Sequence, residues 1–110
     1  MIVVFTKADP PQKWRVEGAT FVVQEFYMEP DGKVLFRIEE PSEQTPGLVA
    51  NECLEVVDGT IPGSWTVSDD NDGGYTIGPT AWQEQGFWER WMDQDPDARS
   101  TYQEFRSEIE

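Results

Sequence analysis

The residues that usually carry chemistry are unevenly supplied in this chain: 22 acids, no histidine and one cysteine among 110 residues. Lack of histidine removes the side chain that titrates nearest neutral pH, the commonest metal ligand and the base of every histidine-dependent triad. Cys53 therefore has no imidazole to convert it to a thiolate, and in a strand-like stretch it reads as a small buried hydrophobe. Carboxylate chemistry remains. Glu39/Glu40, Glu52/Glu55 and Asp69/Asp70 could work as general acid and base if one member sat in an apolar pocket. In so acidic a chain such pairs arise from composition alone, so they single out no reaction, and the chain reads as a non-enzyme with no cofactor.

The run Asp69-Asp70-Asn71-Asp72-Gly73-Gly74 invites comparison with a calcium loop. Counted from Asp69, the fifth and twelfth positions are Gly73 and Thr80, where an EF-hand loop requires Asp or Asn and then Glu. No metal is expected, because residues that tolerate a left-handed backbone suit a hairpin turn without one. As a contact for a basic protein the same loop is better equipped, with three carboxylates on a tip beside Trp65 and Tyr75. Together with the acids around a helix end, it makes Trp65, Asp69, Asp70, Asp72, Tyr75, Asp93, Asp95 and Asp97 the candidate partner-binding residues.

Charge distribution supports that assignment. The formal net charge is −14, divided into −2 for residues 1–40 and −12 for residues 41–110, where fifteen acids face only Arg90, Arg99 and Arg106. Such a field repels nucleic acid and anionic lipid and draws in basic partners, although an acidic surface also simply keeps a protein soluble. Lys13, Arg15, Lys33 and Arg37 are dispersed among acids and form no patch for nucleic acid. No apolar run is long enough to span a membrane, and the first residues lack the basic segment of a signal peptide. A lone cysteine gives no internal disulfide framework, and a reducing cytoplasm is the expected setting.

The elements that must position these residues follow from periodicity. Residues 2–6 form an apolar first strand, ended by Asp9-Pro10-Pro11. Trp14 to Val16 reads as a short strand or a loop with Trp14 tucked inward. Residues 20–28 are rich in β-formers, and Pro30-Asp31-Gly32 turns them back into Val34, Phe36 and Ile38, which alternate with Leu35, Arg37 and Glu39 as in a half-buried strand. Residues 41–47 read as a polar loop. Residues 48–50, 54–57, 65–67 and 75–77 read as further short strands, with Cys53 beside the second.

Beyond Pro79 the period becomes helical. Thr80 is placed to cap a short turn over residues 80–85 with Gln83 at its capping-box position, and a firmer helix is expected at 86–94. Asp95-Pro96 starts a second helix with a capping acid and a proline at its first position. Trp82, Phe87, Trp88, Trp91 and Met92 form one apolar face, read as packing on the sheet rather than as a docking surface. Ala98, Tyr102, Phe105 and Ile109 form the other. The chain is thus expected to be one α+β domain, with a β-rich core over residues 1–78 and a helical pair over 79–110. The core would be a small bent antiparallel sheet or SH3-like open barrel of six or seven short strands.

Two segments carry a resemblance. Residues 32–65, with Phe36-Arg37-Ile38, Thr45-Pro46-Gly47 and Leu54-Glu55-Val56-Val57-Asp58, look like the strand–loop–strand spacing of an SH3-like barrel. The segments Gly78-Pro79-Thr80-Ala81-Trp82, Gly86-Phe87-Trp88-Glu89 and Asp95-Pro96-Asp97-Ala98 resemble the ends of small bacterial proteins of unassigned role. In design the whole chain resembles the immunity proteins of bacterial toxin systems, which are small, acidic and free of catalytic motifs. That resemblance is one of type and transfers no functional residue. It implies tight binding to a toxin domain with a basic surface. Two other expectations stand beside it: a nucleic-acid mimic that blocks a DNA-binding defence or regulatory protein, and an accessory domain whose acid only solubilises.

Overall fold

The computed structural model describes residues 1–6, 16–41 and 44–109. Eight strands form among them: β1 (Ile2–Phe5), β2 (Thr20–Val22), β3 (Glu25–Met28), β4 (Val34–Glu40), β5 (Thr45–Ala50), β6 (Leu54–Asp58), β7 (Thr66–Asp69) and β8 (Tyr75–Gly78). Two helices follow, α1 (Phe87–Met92) and α2 (Pro96–Ile109). All pairing is antiparallel, in a three-stranded sheet ordered β2-β1-β6 and a five-stranded sheet ordered β5-β4-β3-β8-β7. The α+β class and the C-terminal helical pair are those expected from the sequence. The strands are divided between two sheets, and among the described residues neither sheet closes on itself.

The β3–β4 hairpin forms where Asp31-Gly32 places it. Gly32 adopts the left-handed φ of 87° that the turn requires, and the Asp31 carboxylate accepts the Lys33 N–H at 2.9 Å. Residues 20–28, read as one strand, divide at Val23-Gln24. There the Val23 N–H bonds to the Met1 carbonyl and the Gln24 N–H to the Arg37 carbonyl, so the chain leaves one sheet and enters the other. Passing between two packed sheets needs such a corner, which an unbroken strand could not make. β5 begins at Thr45, inside the stretch read as loop. Pro46 can lie opposite Glu39 because β5 is an edge strand, whose outward side needs no donor. Trp14 lies outside the described residues, and Val16 is exposed and not in a strand.

One face of the five-stranded sheet is apolar. Phe26, Phe36, Val49 and Ile77 stand in register across four strands and pack with Val3, Phe5, Leu54 and Trp65 into the main core. Cys53 is buried in that core, in a 3-10 turn over Asn51–Cys53 rather than in a strand. The helices cover one end of the other face, carrying a second, aromatic core of Trp82, Phe87, Trp91, Ala98 and Tyr102. Rings of Trp82 and Tyr102 stack with centroids 5.1 Å apart. The side-chain oxygen of Asp95 accepts the Ala98 N–H at 3.0 Å, and Pro96 occupies the first turn of α2, as expected.

Thr80 does not cap the preceding 3-10 turn, Thr80–Gln83, whose N-cap is Pro79. Gln83 reaches back to the sheet instead, donating to the carbonyls of Thr66 at 2.9 Å and Gly78 at 2.8 Å. Strand-end carbonyls on β7 and β8 take its amide in place of a cap on the one-turn helix. Among the described residues no helix is long and apolar enough to cross a membrane.

The sheet leaves no room for a side chain at Gly78. A Cβ there would lie 2.5 Å from Glu25 Cβ and 3.3 Å from Glu25 Cα. Neither atom can move without displacing β3, so Gly78→Ala is expected to destabilise the protein by about 1–3 kcal/mol. Urea unfolding of the variant beside the wild type measures the difference.

Candidate functional site

Sheet and helices meet through a polar seam. The hairpin register sets Glu25 opposite Arg37. Both are buried, Glu25 completely. Glu25 Oε1 accepts three hydrogen bonds: from Arg37 Nε at 2.7 Å, from the Tyr27 hydroxyl at 2.6 Å and from Trp88 Nε1 at 2.9 Å. The Arg37 guanidinium also lies over the Trp88 ring, 3.7 Å from its centroid. Burial pushes the Glu25 carboxyl above its ordinary value, and Arg37 and the three donors only partly offset that push. Burial and the adjacent Glu25 carboxylate raise Tyr27 to about 12.

A second part of the seam joins β4 to α2. Arg106 grips Glu39 with both Nε and Nη2, at 2.8 Å to each carboxylate oxygen. The Tyr102 hydroxyl donates to Glu39 at 2.9 Å and accepts from the Gln24 amide at 2.8 Å. Burial raises the Tyr102 phenol, which therefore stays a neutral donor. Arg37 was read as facing outward on a half-buried strand. It is buried because α1 covers that face and supplies Trp88.

Two clefts open beside this seam. The first, of about 300 Å³, is lined by Met28, Pro30, Leu35 and Leu48, with Glu29, Asp70 and Asp72 around it. The second, of about 310 Å³, runs between the β7–β8 hairpin and α1 and includes Ser68, Thr76, Trp88, Glu84 and Glu89. Tyr27 and Asp70 line both.

The candidate residues separate into four groups. Asp70 and Asp72 share the first cleft. They also hold the turn, Asp70 accepting from the Thr76 hydroxyl at 2.8 Å and Asp72 from the Gly74 N–H at 2.9 Å. Asn71 and Gly73 take the left-handed conformations expected of this turn. Asp69 pairs with Tyr75 across the hairpin, and both are exposed at the tip. Trp65 is not beside them. It lies beyond the opposite end of β7, buried against Phe26 with ring centroids 6.4 Å apart, and so belongs to the core. An indole adjoining a two-sheet interface gains more by filling it than by facing solvent. Asp93, Asp95 and Asp97 surround the α1–α2 junction, where Asp95 is half-buried as the cap of α2 and lies 3.8 Å from Arg90.

Sequence reasoning passed over Tyr27, Leu48 and the second role of Trp88. One signal was available: Glu25 and Arg37 interrupt two apolar strands at positions that a turn centred on Asp31 brings together. No protein-family model matches this chain, and no curated protein or solved structure matches it either.

Arg37→Met removes the charge that compensates Glu25 and should cost on the order of 3–5 kcal/mol at neutral pH, the usual penalty for breaking a buried pair. The folded pKa of Glu25 is raised, so the folded chain takes up a proton before the unfolded chain does. The penalty is therefore complete above the folded pKa and shrinks as pH falls toward the unfolded value. Urea unfolding of Arg37→Met and wild type at neutral and mildly acidic pH should show the gap narrowing on acidification.

Proposed function

We propose that this protein is a non-catalytic binder of a protein with a basic surface, of the kind that immunity proteins form with bacterial toxin domains. The observation that carries this reading is the state of its cations. Every described one is engaged by the protein's own groups. Arg37 and Arg106 are tied to Glu25 and Glu39. Lys33 lies 3.7 Å from Glu52, and Arg90 lies 3.5 Å from Glu84. Arg99 sits 3.6 Å from the Trp91 ring centroid and donates to the Trp91 carbonyl.

Among the described residues few positive groups are left unengaged against the large excess of acid, and that excess is an electrostatic lure for a cationic protein. Exposed Lys33 and Arg90 pairs contribute little to stability, so they can yield to a partner at small cost. A nucleic-acid mimic would need carboxylates spaced along an extended face. The described part of the molecule measures 34 × 32 × 25 Å, which favours the binder of a compact protein surface.

The test is kinetic and functional. Co-expression with a cationic toxin domain encoded beside its gene should restore growth, and association of the two purified proteins should slow by tenfold or more between roughly 0.05 and 0.3 M salt as charges are screened. A salt-independent association rate, or no complex with such a domain, would count against the proposal.

A further inference from the structure

We propose that the bare half of the five-stranded sheet is the docking groove for an extended basic segment of the protein partner, one that alternates cationic with aliphatic side chains. This inference rests on the binding function proposed above and gives it a location.

The groove exists because the helices are too short to cover the face they pack on. The residues Glu25, Arg37 and Glu39 at one end lie beneath Trp88, Tyr102 and Arg106. Toward the β3–β4 turn the same face continues as Tyr27 and Leu35, which are directly opposed across the two strands, and it widens sideways to Leu48 on the edge strand β5, opposite Arg37. Leu48 is 41% exposed, and Leu35 and Tyr27 on the same face are half-buried. In water these apolar positions are a standing cost that an aliphatic side chain from a partner would relieve.

Charge decides which partner. The groove is bordered by Glu29, Asp70 and Asp72 and adjoins, across Tyr27 and Asp70, the cleft that holds Trp88, Glu84 and Glu89. A second copy of the chain would bring another −14 against these acids, and nucleic acid or an anionic membrane would be repelled in the same way. A segment with an aliphatic side chain over Leu35 and Leu48 can set its next cation between Asp70 and Glu89, beside the faces of Tyr27 and Trp88. Both ends of the groove are then satisfied by one alternating sequence. Glu84, paired with Arg90 at the surface, is available to the same cation.

The experiment uses the full chain, isotopically labelled, titrated with a short peptide of alternating Lys and Leu, a Lys-Ser peptide of equal charge and a Glu-Leu control. Lys-Leu should shift the amide signals of Tyr27, Leu35, Leu48 and Gly74 and bind about tenfold tighter than Lys-Ser, as an apolar anchor in a hot spot would make it. Leu48→Lys, at an exposed position, should lower Lys-Leu affinity to the Lys-Ser level with the fold unchanged by circular dichroism. Leu48→Ser should give a smaller loss. Combined Glu29→Gln, Asp70→Asn and Asp72→Asn, which keep the turn's hydrogen-bond acceptors, should weaken both cationic peptides. Equal affinity for the two cationic peptides, or shifts confined to α2 and the exposed acids of β6, would overturn the groove and leave the basic-partner reading standing. Failure of both peptides to bind would overturn the two together, and so would preferential binding of Glu-Leu. Leu48-dependent dimers in sedimentation would replace the partner with a second copy and overturn the proposal.

Discussion

A carboxylate and a guanidinium buried face to face in the middle of a sheet demand that something cover them and supply donors. Glu25 and Arg37 impose that demand here. Taking the pair out of water is costly, and their mutual attraction repays it only when the remaining lone pairs and the planar cation find partners. Tyr27 from the same strand and Trp88 from α1 meet that need in part: both donate to Glu25 Oε1 and the Trp88 ring faces the cation, while Oε2 is buried without a hydrogen-bond partner among the described residues. The placement of α1 follows: Trp88 must lie where its N–H reaches Glu25 and its ring reaches Arg37. The aromatic core of Trp82, Phe87, Trp91 and Tyr102 then builds around that point.

This arrangement makes the protein a body with two cores and a polar seam between sheet and helices. The apolar core between the sheets resembles that of any small sandwich. At the other interface, direction-dependent bonds add to the aromatic contacts, so the helices have one seating on the sheet. The same seam consumes Arg37 and Arg106, two of the few cations in the chain. Structural needs therefore take positive charge inward, and the acids left outside dominate the surface field. The uncovered part of the sheet follows from short helices fastened at one end; the acidic exterior follows from composition, and the cations drawn into the seam accentuate it.

Much of this was legible locally. Asp31-Gly32 turns the β3–β4 hairpin because only a left-handed residue fits there, and Asp95-Pro96 opens α2 because an acid at the cap and a proline after it meet the needs of a helix start. The tight turn at Asn71 and Gly73 could be read in the same way. Charge asymmetry and the lack of histidine needed no structure at all. These features depend on a few adjacent residues, whose backbone preferences act whatever surrounds them.

Other features depended on residues far apart in the chain. The corner at Val23-Gln24 has no composition of its own; it exists because two sheets must pack. Trp65 could have been an interface anchor or a core ring, and Phe26, almost forty positions earlier, made it core. Arg37 alternates as an outward residue should, yet α1 arrives from fifty positions later to bury it. By itself the sequence determined the turns, the caps, the class of fold and the sign of the surface. Tertiary structure alone decided which sheet face was covered, which acids kept cations and which strip of sheet stayed bare, because periodicity sorts side chains onto faces but only non-local packing determines what each face meets.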